Sequence, residues 1–261
     1  HHPPPPTPPL RQQMASSMWQ AFQSPVNFEA LFKFNDISPR VQSHLAAVYA
    51  TLAGGVLVTT ASAAAAVSMG VSGGGLLSFL ATLGLLIWLG VQGDKENTAK
   101  RLAIYGAFTA MQGLMLADFA AVITYIDRSI PLTALLGTTA VFACFAAFAL
   151  LSRRRSMLYL GGVLSSGLTI LVLLGFLRSF FSFGVSSLEL YGGLALFVGY
   201  VVFDTQLVVE KADAGSTDFV WHATTLYLDF INIAIRIAIV LARNKEDNDR
   251  RKARRDSAAR T

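Results

Sequence analysis

The chain has 261 residues, 53% of them apolar and only 14% charged, with a formal net charge of +5. A soluble domain of this length carries about 25% charged residues, so the composition excludes a soluble globular protein and points to a polytopic, all-α membrane protein. Much of the positive charge falls between Arg243 and Arg260, which is a juxtamembrane pattern and not a nucleic-acid signature.

In chain order, His1-His-Pro-Pro-Pro-Pro is a polyproline-like opening without the charged-then-apolar order of a secretory signal. The first membrane segment is therefore expected to direct insertion. Residues 1–44 read as a leader. Trp19, Phe22, Phe28, Leu31, Phe32 and Phe34 punctuate it around Pro25, as either a short interfacial helix or an irregular strip with scattered aromatics. Seven apolar runs follow within 45–241: Leu45–Met69, Leu76–Val91, Leu102–Ile123, Pro131–Leu151, Leu158–Leu177, Leu190–Val209 and Thr224–Leu241. Each is within the range that crosses a hydrocarbon core of about 30 Å, the second and last being short. The connections are brief: Gly70-Val-Ser-Gly-Gly-Gly75 is a tight turn, and Asp127-Arg-Ser-Ile-Pro131 sets Pro at a helix start. Small residues at Gly161, Gly162, Ser165, Ser166, Gly192, Gly193 and Gly199 predict close helix approach on the fifth and sixth spans. The single cysteine, Cys144, excludes an internal disulfide.

Orientation follows from Lys and Arg at the span ends. One side receives Lys33, Arg40, Lys95, Lys100, Arg101, Arg153, Arg154, Arg155 and Lys211; the other receives Arg128 and Arg178. The first side is read as cytoplasmic, together with the N-terminus. Seven full crossings then put the basic tail, 242–261, on the opposite side, unless the last segment is re-entrant. The tail itself is either a lipid-touching segment, at about 1 kcal/mol per basic residue near an anionic surface, or a solvated one.

Two acids stand inside these runs, Asp204 and Asp229. A carboxylate at mid-bilayer costs about 2.5–3.5 kcal/mol on insertion scales, so it persists where it has a task or a partner. Counted from the span boundaries, both lie about 7–8 Å inside the same edge, so antiparallel neighbours would bring them to one depth. Asn232 and Arg236 follow Asp229 on the same helical face, as pore-lining or latch partners. Two carboxyls in reach of each other share one proton; bare, they repel and offer oxygen ligands to a hard cation such as Ca²⁺ in transit. The plainer alternative is that each aspartate bonds singly to Thr205, Gln206, Asn232 or Arg236 and only holds helices together. Asp118, late in the third span, either reaches the interface or joins the cavity. His44 and His222 flank spans as isolated histidines. No His-Glu-x-x-His, Walker or Gly-x-Ser-x-Gly pattern is present, so no enzyme and no bound cofactor is expected.

Phe203-Asp-Thr-Gln-Leu-Val-Val-Glu-Lys211, Trp221-His222 and Leu226-Tyr-Leu-Asp-Phe-Ile-Asn232 resemble the Bax inhibitor-1 family. Lys100-Arg-Leu-Ala103, the run from Thr138 to Phe145 and Arg153-Arg-Arg-Ser-Met-Leu-Tyr-Leu-Gly-Gly162 support this. The resemblance implies a seven-helix bundle with the last helix central, a pH-responsive Ca²⁺ leak, and a di-aspartyl sensor at Asp204 and Asp229. It also implies residence in the endoplasmic reticulum, suppression of programmed cell death, and Bcl-2-family or other membrane partners besides lipid, Ca²⁺ and H⁺. Two departures stand out. Val91-Gln-Gly-Asp-Lys-Glu96 lacks the arginine with which bacterial relatives engage the latch, leaving Arg236 as a substitute, and Asp118 stands where eukaryotic relatives tend to have Glu. An H⁺/Ca²⁺ exchanger on the same residues and a non-conducting regulatory scaffold remain the alternatives.

Overall fold

The computed structural model describes residues 38–73, 75–92, 97–152, 157–181 and 184–258. The aromatic leader and the basic markers Lys33, Lys95 and Arg153 to Arg155 fall outside the described residues.

Among the described residues seven α-helices form: α1 Pro39–Met69, α2 Leu76–Val91, α3 Thr98–Ile126, α4 Ile130–Leu151, α5 Gly161–Phe181, α6 Ser187–Asp213 and α7 Phe219–Ala258, with one 3₁₀ turn at Leu158–Leu160. All but α2 are long and apolar enough to cross a membrane. The protein is thus an all-α, multi-pass membrane protein, as composition and run length indicated.

Local chemistry sets the helix ends. α1 begins six residues before the apolar run because the Ser38 hydroxyl accepts the Val41 N–H at 3.4 Å and Pro39 occupies the first turn. It stops at Gly70, which takes the left-handed conformation (φ 66°) that a side chain resists. Asn97 caps α3 by accepting from Lys100 N–H at 3.1 Å. Ser186 caps α6 by accepting from Glu189 N–H at 3.1 Å.

The last helix is the axis of the bundle. α7 packs against α1, α3, α4 and α6, whereas α2 leans on α3 and α5 on α6. Outward faces of α2 and α5 are apolar and exposed, with Leu76, Leu77, Phe79 and Leu80 on one and Ile170, Val172, Phe176 and Phe180 on the other; their medium is lipid. Between α1 and α3 the backbones approach closely. A Cβ on Gly113 would run into the Thr59 carbonyl and Ser62, and one on Gly55 into the Tyr105 ring. In lipid such close packing and interhelical hydrogen bonds supply the association energy.

The expected small-residue seam of the fifth and sixth spans is only partly used. Gly161 lies against Phe203, Gly199 against Leu164 and Gly193 against Arg236. Ser165 donates to Gly161 O of its own helix and also lies against the Tyr200 hydroxyl of α6, whereas Ser166 donates to Gly162 O on an exposed face.

α7 also runs far past the apolar stretch that ended at Leu241. At 1.5 Å per residue its 40 residues span about 60 Å, twice a hydrocarbon core. Where the helix leaves the bundle, Lys245 pairs with Asp127 at 3.3 Å and Arg243 donates to Val185 O at 2.6 Å. Both partners sit at the end of the bundle opposite the start of α1. The last segment is therefore a full traverse and not a re-entrant loop.

Candidate functional site

α6 and α7 run antiparallel, joined by residues 214–218, a shorter link than the apolar pattern indicated because both helices continue into polar sequence. Asp204 and Asp229 lie nine and ten residues from the helix ends that flank this turn, Asp213 and Phe219, about 14 Å along their helices. Their carboxyl groups face each other within hydrogen-bonding reach across the α6–α7 interface. Asp229 is 4% exposed, and its Oδ2 has no well-formed hydrogen bond among the described residues. Asp204 is half-buried. Tyr200, one turn away on α6, sits in the field of both acids, and the Tyr49 hydroxyl of α1 lies against Thr205.

The other candidates are placed elsewhere. Asn232 donates to Leu228 O at 2.9 Å. Arg236 donates to Asn232 O at 3.0 Å and to its Oδ1 at 3.2 Å, while its guanidinium lies 4.6 Å above the Phe197 ring. A Cβ on Gly193 would approach Arg236 Nε to 2.5 Å, so the glycine makes room for the cation. Arg236 is two turns from Asp229, and its Nη1 is engaged by Asn232. Asp118 is exposed and accepts from the Ser72 hydroxyl at 2.8 Å, beside the α1–α2 connection, toward the opposite end from the aspartates. Among the described residues no cluster of three or more His, Cys, Asp or Glu could hold a resident metal.

The fold assembles a further group whose members are scattered in the sequence. His44 of α1 and His222 of α7 meet at 2.8 Å, Nε2 to Nδ1, with rings edge to face. One turn further out, Asp218 caps α7 by accepting Trp221 N–H at 3.1 Å and accepts with both carboxylate oxygens from Arg101 Nη2 at 2.8 Å. Arg101 is 2% exposed, a charge that is tolerable inside only because it is paired. Nothing in the spacing joins His44 to a residue 178 positions away.

A simpler signal was available. Asp218, His222, Thr225, Asp229, Asn232 and Arg236 recur at intervals of four and three, so they share one face of α7. The acid, amide and base noted in sequence are the inner half of this stripe, which carries polar groups down the axis of the bundle from Asp218 to Arg236.

The opposite face of α7 is closed. Tyr227 is fully buried; its hydroxyl bonds Thr59 Oγ1 at 2.5 Å, and Thr59 in turn donates to Thr109 O at 2.9 Å. Rings of Tyr105 and Phe108 stand edge-on to it, with centroids 6.0 and 5.7 Å away, an arrangement that aromatic quadrupoles favour.

A family model described as "Inhibitor of apoptosis-promoting Bax1" matches residues 41–246, a span that includes the whole polar stripe from Asp218 to Arg236. A probable Bax inhibitor 1 of Paralichthys olivaceus is 41% identical over 233 residues, covering 88% of this chain and 98% of the relative. Bax inhibitor 1 of Homo sapiens is 39% identical over the same shares. That of Arabidopsis thaliana is 39% identical, covering 85% of this chain and 90% of its own. Matched through all seven helices, the chain belongs to the Bax inhibitor-1 family of multi-pass membrane proteins.

Proposed function

We propose that this protein is a proton-gated Ca²⁺ leak of the endoplasmic-reticulum membrane, and that by lowering stored Ca²⁺ it suppresses programmed cell death. The cell-death role rests on relatives named Bax inhibitor 1 in animals and plants. One observation carries the gate: two carboxyls facing each other inside the α6–α7 interface.

With one proton between them, the acids bond each other and hold α6 against α7. Without it, two like charges a few ångströms apart in a poor dielectric repel strongly. Separation of the helices then exposes carboxylate oxygens to an entering cation. Two acids suit a passing Ca²⁺, not a stored one, since tight sites use six to eight oxygens. The start of α1, with Arg40, Lys100, Arg101 and Lys211 at the same end, is assigned to the cytoplasm by the basic-residue rule. Bcl-2-family proteins would then act on the leak as regulators, and no chemical turnover is required of it.

The test is Ca²⁺ flux from liposomes holding the purified protein across pH, beside Asp204→Asn and Asp229→Asn. Wild-type flux should rise with pH; Asp229→Asn, which cannot lose a proton, should give a low and flat profile. An unchanged profile in that variant would sink the gate. Uphill Ca²⁺ movement driven by an opposed proton gradient would instead make the protein an exchanger, with the His44–His222 pair and the aspartates as its proton route. No flux at any pH would leave a regulatory scaffold.

A further inference from the structure

An apolar cavity of about 450 Å³ opens between α1 and α4, floored by α7 and bounded by α3. Ala63, Ala120, Leu135 and Ala234 are on its walls, and small side chains there leave the space unfilled. It shares Val67 and Thr124 with a second cavity of about 710 Å³ lined by Tyr125, Asp127 and Arg128. The first lies within the membrane-crossing lengths of its helices, and the second at their ends, at the α3–α4 connection.

The walls settle the chemistry of an occupant. Hydroxyls are present, but each is already committed: Thr60 to Val56 O, Ser68 to Ala65 O, Thr124 to Ala120 O, and Thr59 to Thr109 O and Tyr227. The inner cavity therefore has no free hydroxyl donor to offer, and its largely apolar walls suit an apolar guest. At the mouth the chemistry reverses. Asp127 is engaged by Ser129 and Lys245, which leaves the Arg128 guanidinium exposed beside it.

We propose that this double cavity is a binding site for one phospholipid, with an acyl chain between α1 and α4 and the phosphate at Arg128. The volume is in the range of about 300–1,000 Å³ typical of small-molecule sites. A helix crossing the membrane, about 10 Å across and 30 Å long, is several times too large to enter, so the cleft selects a chain and not a partner's span. Basic groups at the membrane boundary are suited to lipid phosphate. The lipid would wedge against the Phe230 and Ile231 side of α7, one residue beyond Asp229, which makes it a structural neighbour of the gate without belonging to it.

The full-length protein in phosphatidylcholine nanodiscs, doped with a phosphatidylcholine bearing a photoactivatable group at the end of one acyl chain, tests this. Peptide mapping should show α1, α3 and α7 cavity residues labelled above the outward faces of α2 and α5, which report bulk lipid. Ala63→Phe and Ala234→Phe, which fill the space from half-buried positions, should abolish cavity labelling and leave α2 and α5 labelling intact. Arg128→Ala, an exposed substitution, should reduce cavity labelling several-fold. Equal labelling of cavity and outer faces in the wild type, or cavity labelling untouched by all three variants, would overturn the site. Because the readout is labelling and not flux, its failure is separable from that of the gate.

Discussion

Tyr227 and Asp229 are two residues apart on one helix and face opposite fates. On the Tyr227 side, α7 meets α1 and α3 through a closed chain of hydroxyls and edge-on rings. On the Asp229 side it meets α6 through two facing carboxyls. The first contact holds no carboxyl or imidazole; the second, in the gate proposed above, depends on whether a proton is present. On that reading, an axis fixed on one side and conditional on the other would let the bundle open one seam while keeping its fold.

Substitutions on the two sides should therefore separate stability from pH response. The largest effect is expected from Tyr227→Ala, which removes a fully buried ring and one of the two hydrogen bonds of the Thr59 hydroxyl; about 3–5 kcal/mol should be lost, read as reduced thermal stability in detergent. Tyr227→Phe keeps the ring and deletes one hydrogen bond, so it should cost about 1 kcal/mol and leave the pH midpoint of flux where it was. A moved midpoint would show that the two faces of α7 are not independent. The smallest effect concerns Asp127, outside the spans. Its bonds from Ser129 N–H, the Ser129 hydroxyl and Lys245 hold its carboxyl below the usual carboxylate range. A pKa lowered by folding means that its contribution is present above the ordinary value of about 4 and fades as pH falls through the folded one. Asp127→Asn should remove that contribution, lowering thermal stability slightly at pH 7, and should flatten the acid-side slope in thermal unfolding.

Much of this architecture was legible in the sequence, because the bilayer writes its demands in hydropathy: seven apolar runs became seven helices. The aspartates were legible for the same reason, as charges where charge is costly. Other features left no such trace. The stretch Asn244-Lys-Glu-Asp-Asn-Asp249 has no apolar face to bury, and α7 nevertheless continues through it. Arg243 and Lys245 are tied to neighbouring segments there, and Lys245 and Asp249 lie one turn apart at 3.9 Å. The His44–His222 contact joins residues that no periodicity relates. The close α1–α3 approach at Gly55 and Gly113 depends on which helices are neighbours, which one helix's own pattern does not encode.

The 4–3 stripe on α7 has a mechanical corollary. Asp218, His222, Thr225, Asp229, Asn232 and Arg236 are fixed to one continuous rod and its capping turn, so a twist of that rod re-aims all of them by the same angle. Imidazole, carboxylate, amide and guanidinium cannot be turned separately. Whatever rotates the shaft at either mouth of the bundle is felt at every level along it.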